Sequence, residues 1–511
     1  MHLYSSKRAR RSLFDTAFYR TISQAATMLG YVVMVRGMTE QAFGVFNLLY
    51  AVVPVMSALA SFGVDNVLQR YQPEYIASRQ YTTAAWLVRF ISRARLGANL
   101  VVLTFVLAAW HMIMPTFKLD PYRAEFLAFS GITLLFFQIR VLDVSLASHM
   151  LHKYSVGGYA ILAVIKLVGY VFFTLTHRLT LQTAIATDTV ASALAFAFMY
   201  LAHRRFCELP PGTFPEPPSR EEKKRLLRYG LFYNFNDVGT LALSSGVANF
   251  FVAAFMDTAR VGTFSFYTRL SGMVDKALPT SLFQNVIRPV FFATPRADAP
   301  VKIPKYFTLL INMSLLLTAP ITAYAAIYHR EIVDVVFGGK FREDSLLLPM
   351  VLAFVTIKIV STPVALAAQY EEKALTVLLS KVFGLVSLAG MFLLIPILGV
   401  YGAALATGGS DFLKELFIWW STRRTARWTN FGPAMASTAV CWGGFYVACS
   451  VLKSHLTVAP LVHLVIGAAL CLAVAAVYAR TPVLCASDRA ILGSVLKGKE
   501  SRWLKLVGLV T

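Results

Sequence analysis

Long apolar stretches recur from one end of the chain to the other, separated by short polar segments. A helix needs about 20 predominantly apolar residues to cross about 30 Å of hydrocarbon. Because lipid leaves every non-helical backbone group unsatisfied, helices are the only reasonable structure for these stretches. The pattern predicts an all-α integral membrane protein with about 14 transmembrane helices, at residues 16–38, 43–68, 93–114, 125–147, 156–177, 180–202, 229–256, 261–293, 305–329, 344–369, 374–396, 399–420, 433–452 and 458–480.

The composition excludes most soluble classes. Of 511 residues, 57% are hydrophobic and 14% are charged, whereas soluble domains have about 25% charged residues. The longest polar stretch, residues 202–228, is a proline-rich connector, so no room remains for a soluble catalytic domain, and we expect no enzyme activity. The five cysteines show no zinc-type spacing, and we predict no metal site or other cofactor.

Lysine and arginine residues are concentrated in alternate loops, most densely in the connector and at the two ends of the chain. Cytoplasmic loops have this excess of positive charge. The asymmetry therefore predicts a multi-pass protein with both termini in the cytoplasm. The net charge of +22 is then a topology signal, and no nucleic-acid partner is expected.

Pairs of similar residues recur at nearly one offset, which indicates an internal duplication. They are Gly44-Val-Phe46 with Gly262-Thr-Phe264, Arg70 with Arg288, Arg140 with Lys358, and residues 184–187 with 404–407. The first offset is 262 − 44 = 218 residues. It covers six helices, so the two halves should share one orientation in the membrane.

The duplication predicts two pseudo-symmetric six-helix lobes plus two C-terminal helices. The predicted regions are an N-terminal lobe (1–202), a cytoplasmic connector (203–228), a C-terminal lobe (229–421), and helices 13 and 14 with a tail (422–511). In the connector, Ser219 and Glu222 have capping-box spacing and should begin a helix. The basic stretch 497–507 is either an interfacial helix or a solvated tail.

Ionisable residues inside the predicted spans are costly, about 2.5–3.5 kcal/mol each at the helix centre, and usually mark a transport pathway. Near the inner ends, snorkelling to lipid headgroups is the favoured interpretation, for Arg70, Arg93, Arg95, Arg288 and Lys414. The remaining cations are predicted to line a substrate-binding cavity between the lobes: Arg20, Arg36, Arg140, Lys166, Arg269, Lys276 and Lys358. Such a cavity suits an anion such as phosphate or pyrophosphate.

Several of these residues have a second interpretation. Arg140 could be neutralised by Asp143, three residues further along the same helix. Snorkelling explains Arg20 about as well as a cavity does. Three acids are candidates for a coupling-ion site or for charge pairs: Asp65, Asp237 and Asp275. For Asp237, a pair with Arg269 or Lys276 is about as plausible as an ion site.

Three segments carry a family resemblance: residues 42–50 (AFGVFNLLY), 59–71 (LASFGVDNVLQRY) and 398–407 (LGVYGAALAT). They resemble the polysaccharide transporter family of O-antigen and exopolysaccharide flippases. That family lies within the superfamily of multidrug, oligosaccharidyl-lipid and polysaccharide exporters. The resemblance implies flipping of an undecaprenyl-pyrophosphate-linked oligosaccharide to the periplasmic leaflet of a bacterial inner membrane, in lipopolysaccharide or exopolysaccharide biosynthesis.

The same resemblance implies alternating access, coupling to H⁺ or Na⁺, and contacts with the bilayer, a polysaccharide polymerase and other assembly proteins. Similar flippases use cavity arginines on helices 1, 2 and 8, which match Arg20, Arg36 and Arg269 here. On helix 2 only Arg70, at the inner end, is present.

Other functions remain as alternatives. The nearest are a cation-coupled multidrug exporter and a peptidoglycan-precursor flippase of the same superfamily. Drug export is disfavoured because the first helix has two arginines and only Asp15 at its margin. A polymerase, ligase or glycosyltransferase would need a long catalytic loop, which the sequence lacks, and a scaffold would not need buried charges.

Overall fold

The computed structural model describes residues 6–210, 212–282, 298–456 and 458–489. Within these ranges the chain is helical and has no β-strand. The main helices are α1 (Ser6–Gly37), α2 (Glu40–Ser61), α3 (Val64–Ala77), α4 (Tyr81–Ala108), α5 (Arg123–Ser148), α6 (His152–Leu175), α7 (Leu181–Cys207), α8 (Arg220–Leu241), α9 (Ser245–Phe255), α10 (Thr258–Ala277), α11 (Ala299–Phe337), α12 (Leu347–Ile357), α13 (Ser361–Tyr370), α14 (Ala374–Leu379), α15 (Phe383–Leu398), α16 (Val400–Thr422), α17 (Phe431–His455) and α18 (Pro460–Tyr478). The predicted all-α membrane fold is confirmed.

The described residues contain ten helical segments that are long and apolar enough to cross a membrane. An eleventh is added if α8 and α9, bent by 47°, form one broken span. Three predicted spans fall on α1, α10 and α16, which carry more polar residues and are not among these segments. Each of the 14 predicted spans thus overlaps a helix or a broken pair of the described residues, and residues 283–293 of the eighth span lie outside them. The exact number of spans that cross the membrane remains a prediction.

The chain divides into two compact units, Met1–Gly262 and Thr263–Thr511. In the first unit, α1 packs along α6, and α7 packs against both α5 and α6. A second contact layer joins α3 to α4, α5 and α8. Its core contains Leu68, Leu87 and Ile91, each at most 2% exposed. These contacts place the polar side chains of α2 to α8 within one packed body.

In the second unit, the 39-residue helix α11 packs against α12, α17 and α18, while α15 packs against α16. The helices α17 and α18 are held to α11 by polar contacts as well as by apolar packing. Lys453 forms an ion pair with Glu331 (2.7 Å), and Tyr324 donates a hydrogen bond to the carbonyl of Leu464 (2.8 Å). The two C-terminal helices are therefore integral to the second unit.

Several helices break within the predicted membrane region. Between α2 and α3, Phe62 and Gly63 both have positive φ (45° and 70°). A Cβ atom on Gly63 would lie 1.8 Å from the carbonyl oxygen of Gly230, so only glycine fits this approach of α8. A short 3₁₀ turn at Lys358–Val360 separates α12 from α13.

The capping box predicted in the connector is present. The Ser219 hydroxyl accepts from the Glu222 amide, and the Glu222 carboxylate accepts from the Ser219 amide, both at 3.2 Å. Helix α8 begins at the next residue, Arg220. The lobes were defined by the repeat and the compact units by packing, so the lobe boundaries stay a prediction. Arg288 and the stretch 497–507 lie outside the described residues.

Candidate functional site

A buried charge network joins α2, α6 and α7 in the first unit. Lys166 of α6 donates to the carboxylate of Asp188 of α7 at 2.8 Å and to the hydroxyl of Tyr50 at 2.6 Å. Tyr50 also hydrogen-bonds Asp188, and Tyr170 donates to the other carboxylate oxygen at 2.6 Å. Asp188 is fully buried. Both charges are thus paired and hydrogen-bonded, which is what makes buried ions tolerable.

Of the two arginines of α4 predicted to snorkel, Arg93 is exposed, whereas Arg95 is buried. It is 1% exposed and forms an ion pair with Asp65 at the start of α3. Its guanidinium also donates to Ser57 at 2.9 Å and lies 4.5 Å from the ring centre of Phe137. The snorkelling interpretation was wrong because helix packing, which the sequence does not show, turns this side chain toward α3. Of the two uses predicted for Asp65, the structure shows a charge pair.

A second polar cluster surrounds Arg140 of α5. Arg140 forms the predicted pair with Asp143 at 3.0 Å. Asp143 also accepts from Ser155 at 2.5 Å and from Tyr159 at 3.4 Å. The Arg140 side chain is 41% exposed, so part of its guanidinium remains accessible while its charge is largely balanced.

In the second unit, Lys358 lies at the 3₁₀ turn between α12 and α13 and contacts α16. It forms an ion pair with Asp411 at 2.9 Å, and Lys414 contacts the other oxygen of Asp411 at 2.9 Å. Lys414 also reaches Glu415 at 3.0 Å, and Ser361 donates to Glu415 at 2.7 Å. Two lysines and two carboxylates therefore form a balanced cluster. Lys414, which is 13% exposed, does not have the snorkelling position predicted for it.

The other predicted site residues have these positions. Arg20 and Arg36 are exposed on α1, Arg269 is half-buried on α10, and Lys276 is exposed near the end of α10. Asp237 of α8 accepts from Asn66 of α3 at 2.8 Å, next to a bond between Ser61 and Asn234 at 3.0 Å. Asp275 is half-buried on α10. The assignment of these residues to a substrate or ion site stays a prediction.

Within each unit the structure brings the predicted cations together with acids rather than with each other. Lys166, Arg140 and Lys358 each have a carboxylate within 3.0 Å. In the described part of the chain no group of three or more His, Cys, Asp or Glu could hold a metal ion. Of the other predicted cavity cations, Arg20, Arg36 and Lys276 are exposed.

The sequence analysis did not identify Asp188 as a partner of Lys166. The signal was present: α6 and α7 are neighbours along the chain, and the two residues lie 175 − 166 = 9 and 188 − 181 = 7 positions from the turn that joins them. Two helices joined by a short turn run antiparallel, so similar distances from the turn mean similar depths. Opposite charges at similar depth in adjacent helices favour pairing.

A family model described as a polysaccharide biosynthesis protein matches residues 33–346. Among solved structures, the fold is similar to a lipid II flippase MurJ in an inward closed conformation, with a TM-score of 0.66 and 12% identity. That match covers 91% of this chain and 98% of the flippase.

A multidrug resistance MATE family transporter of the MOP superfamily, in an inward-facing conformation, is also similar. Its TM-score is 0.65 at 15% identity, covering 80% of this chain and 98% of the transporter. At identities this low the similarity shows that the fold is shared, and it carries no information on the substrate. No curated protein sequence matches significantly.

Proposed function

The chain belongs to the polysaccharide biosynthesis protein family, whose fold here is that of MOP-superfamily transporters, and from this premise we propose that it flips a lipid-linked oligosaccharide. The proposed cargo is an undecaprenyl-pyrophosphate-linked repeat unit. It would move from the cytoplasmic to the periplasmic leaflet of a bacterial inner membrane by alternating access. The single observation that carries the proposal is the family match over residues 33–346 of a transporter-like helical chain.

Charge supports an anionic cargo. The chain has 48 Lys and Arg against 26 Asp and Glu. Arg20 and Arg36 are exposed on α1. Arginine offers a fork of donors that fits phosphate oxygens. An inside-negative membrane potential also favours outward movement of an anion, by about 2.3 kcal/mol per charge per 100 mV.

The energy source belongs to the same proposal. We propose that H⁺ or Na⁺ drives the cycle, and that Asp237 is the foremost coupling candidate, since it is half-buried and accepts a hydrogen bond from the neutral Asn66. Asp65, which pairs with Arg95, suits ion exchange less well. No covalent step is part of this function, and the chain is proposed to act on its cargo by transport alone.

A proteoliposome assay tests the proposal. Vesicles would contain the full chain and a fluorescent undecaprenyl-pyrophosphate oligosaccharide in both leaflets, and a membrane-impermeant reductant would bleach the outer leaflet. We expect protein-dependent bleaching of the protected half, faster under an H⁺ or Na⁺ gradient. Bleaching no greater than in protein-free vesicles, with or without either gradient, would overturn the function.

Parallel arms separate the alternatives. Labelled lipid II in the same vesicles tests a peptidoglycan-precursor flippase, and a fluorescent organic cation tests drug export. Transport of the oligosaccharide lipid in preference to both supports the proposal. If the protein transports lipid II or the organic cation in preference to the oligosaccharide lipid, the proposed cargo is wrong and the preferred compound takes its place.

A further inference from the structure

A cavity of about 890 Å³ opens inside the first unit, and none of the ion-paired residues described above is in its lining. It lies between the first turns of α4 and the last turns of α5 and α7, and Gln72 of α3 and residues 208–210 of the connector, including the carboxylate of Glu208, line it as well. All three helix ends are on one face of the membrane. The charge asymmetry of the loops assigns that face to the cytoplasm.

Two arginines one helical turn apart line this cavity. Arg89 and Arg93 of α4 are both exposed, and neither has a carboxylate within ion-pair distance among the described residues. The contrast with Arg95, on the same helix and paired with Asp65, is direct. Both arginines also line an adjoining recess of about 550 Å³ with Trp86 and Phe90. They therefore present positive charge to a space large enough for a ligand.

The floor of the cavity is polar and built from buried groups. Gln72, 1% exposed, donates to the hydroxyl of the fully buried Ser145 at 2.8 Å, and His203 contacts the same hydroxyl at 3.0 Å. His149 contacts the Ser145 carbonyl at 2.9 Å. These contacts join polar side chains of α3, α5 and α7 at the floor of the cavity.

The rim of the cavity is aromatic. Tyr200 and Phe206 of α7 line it and are 43% and 45% exposed, and Phe90 of α4 is 50% exposed beside Arg89. Phe90 stacks on Trp86 with ring centres 4.8 Å apart. Aromatic side chains at this depth are typical of the membrane–water interface. Acyl chains could lie along them while a headgroup occupies the cavity.

We propose that this cavity is a binding site for the phosphate headgroup of an anionic membrane lipid. Arg89 and Arg93 bind the phosphate through charge-assisted hydrogen bonds. Basic pockets between transmembrane helices on the cytoplasmic side are known to recognise anionic headgroups. None of the predicted substrate-binding residues lines this cavity, and the proposal does not depend on the proposed function.

Native mass spectrometry of the purified full chain tests the site. Phosphatidylglycerol and phosphatidylethanolamine with identical acyl chains would be titrated in separate experiments, and we expect tighter retention of phosphatidylglycerol. The double variant Arg89→Gln/Arg93→Gln should weaken phosphatidylglycerol binding about tenfold or more, since each lost charge-assisted bond contributes about 1 kcal/mol or more. The variant Arg89→Lys/Arg93→Lys keeps the charge but loses the forked guanidinium donors, so its affinity for phosphatidylglycerol should lie between those of the wild-type chain and the glutamine variant.

The matched control is Lys224→Gln/Arg228→Gln, which removes two exposed charges at the same spacing on α8. If the control weakens binding as much as the Arg89/Arg93 variant, only general surface charge is involved and the site is overturned. Equal binding of the two lipids to the wild-type chain would overturn it as well. Free glycerol 3-phosphate that displaces the lipid at equal concentration would show a soluble-anion site and overturn the lipid assignment.

Discussion

A Cβ atom placed on Gly44 would lie 1.6 Å from the carbonyl oxygen of Thr258, so α2 and the first turn of α10 cross backbone to backbone. Gly262, the residue that the predicted repeat matches with Gly44, faces the same crossing, and its Cβ would lie 3.3 Å from the Gly44 amide nitrogen. The two matched glycines therefore lie at one helix crossing. Their glycines are required by this close approach.

Gly44→Ala should disrupt the crossing. The methyl group has no space beside a carbonyl oxygen, and overpacking of this kind costs typically about 1–3 kcal/mol and sometimes more. We expect a lower melting temperature and a smaller monodisperse peak in size-exclusion chromatography. Gly131→Ala in α5 is the control, because no atom lies within 4 Å of its added Cβ. A Gly44→Ala protein as stable as the control would contradict the crossing.

The Lys166–Asp188 pair should behave as a structural unit. Removing one partner leaves a buried charge uncompensated, at a cost of about 3–5 kcal/mol. Lys166→Met and Asp188→Asn should therefore each reduce thermal stability strongly, and the double variant should be more stable than the sum of the two effects predicts. Thermal unfolding of all four proteins measures this coupling.

The same double variant also tests the sequence-based role of Lys166. If Lys166 binds substrate, export stays low even where the folded protein is recovered in normal amount. Export at the wild-type level in a complementation assay would show that Lys166 has a structural role only.

Substitutions in the Asp411 cluster should reduce the stability of the protein to different extents. Asp411→Asn leaves Lys358 and Lys414 facing each other with one neutral partner between them, whereas Lys358→Met still leaves Lys414 paired. We expect Asp411→Asn to destabilise the protein more than Lys358→Met, as measured by thermal unfolding. Equal effects would mean that Lys414 relies on Glu415 alone.

Arg269→Ala and Lys276→Ala are expected to lower export while protein abundance stays normal, because these α10 cations are candidates for contact with the anionic cargo. Arg178→Ala, which removes an exposed cation at the turn before α7, is the control. Export is measured by complementation of a strain lacking the gene. Wild-type export by both single variants would reject the cationic site.

Reporter fusions test the predicted orientation. A fusion after Gly212 in the connector should yield fluorescent green fluorescent protein and inactive alkaline phosphatase. A fusion after Lys118, in the turn between α4 and α5, should give the opposite result. The positive-inside rule predicts both outcomes, and a reversed pattern would reverse the orientation.

The helices were predictable because hydropathy is a local property: each predicted span overlaps a helix or a broken pair. The capping box at Ser219 was predictable for the same reason, since its two partners are three residues apart. Side-chain partners across helices were harder. Arg95 looked like a snorkelling residue because its neighbour Asp65 lies on another helix, at a distance that only packing reveals.

The cavity beside Arg89 and Arg93 could not be seen in the sequence. Its lining comes mainly from four helices and the connector, and its histidines are separated by more than fifty positions along the chain. The predicted repeat matched Gly44 with Gly262 as equivalent positions. It gave no information on what fills the space between helices. Charge and hydropathy predict how deep a residue lies in the membrane, whereas the location of a pocket depends on the angles at which the helices cross.

Gly63 belongs to the stretch 59–71, which carries part of the family resemblance, and its role is to let the main chain of α8 approach. A glycine at such a position is required by the close packing of two helices, and this requirement does not depend on what the transporter carries. Relatives that keep this glycine inherit the same frame, while their specificities are free to diverge. Searches that rest on these motifs will therefore group proteins by architecture, and cargo must be inferred from the side chains that differ among them.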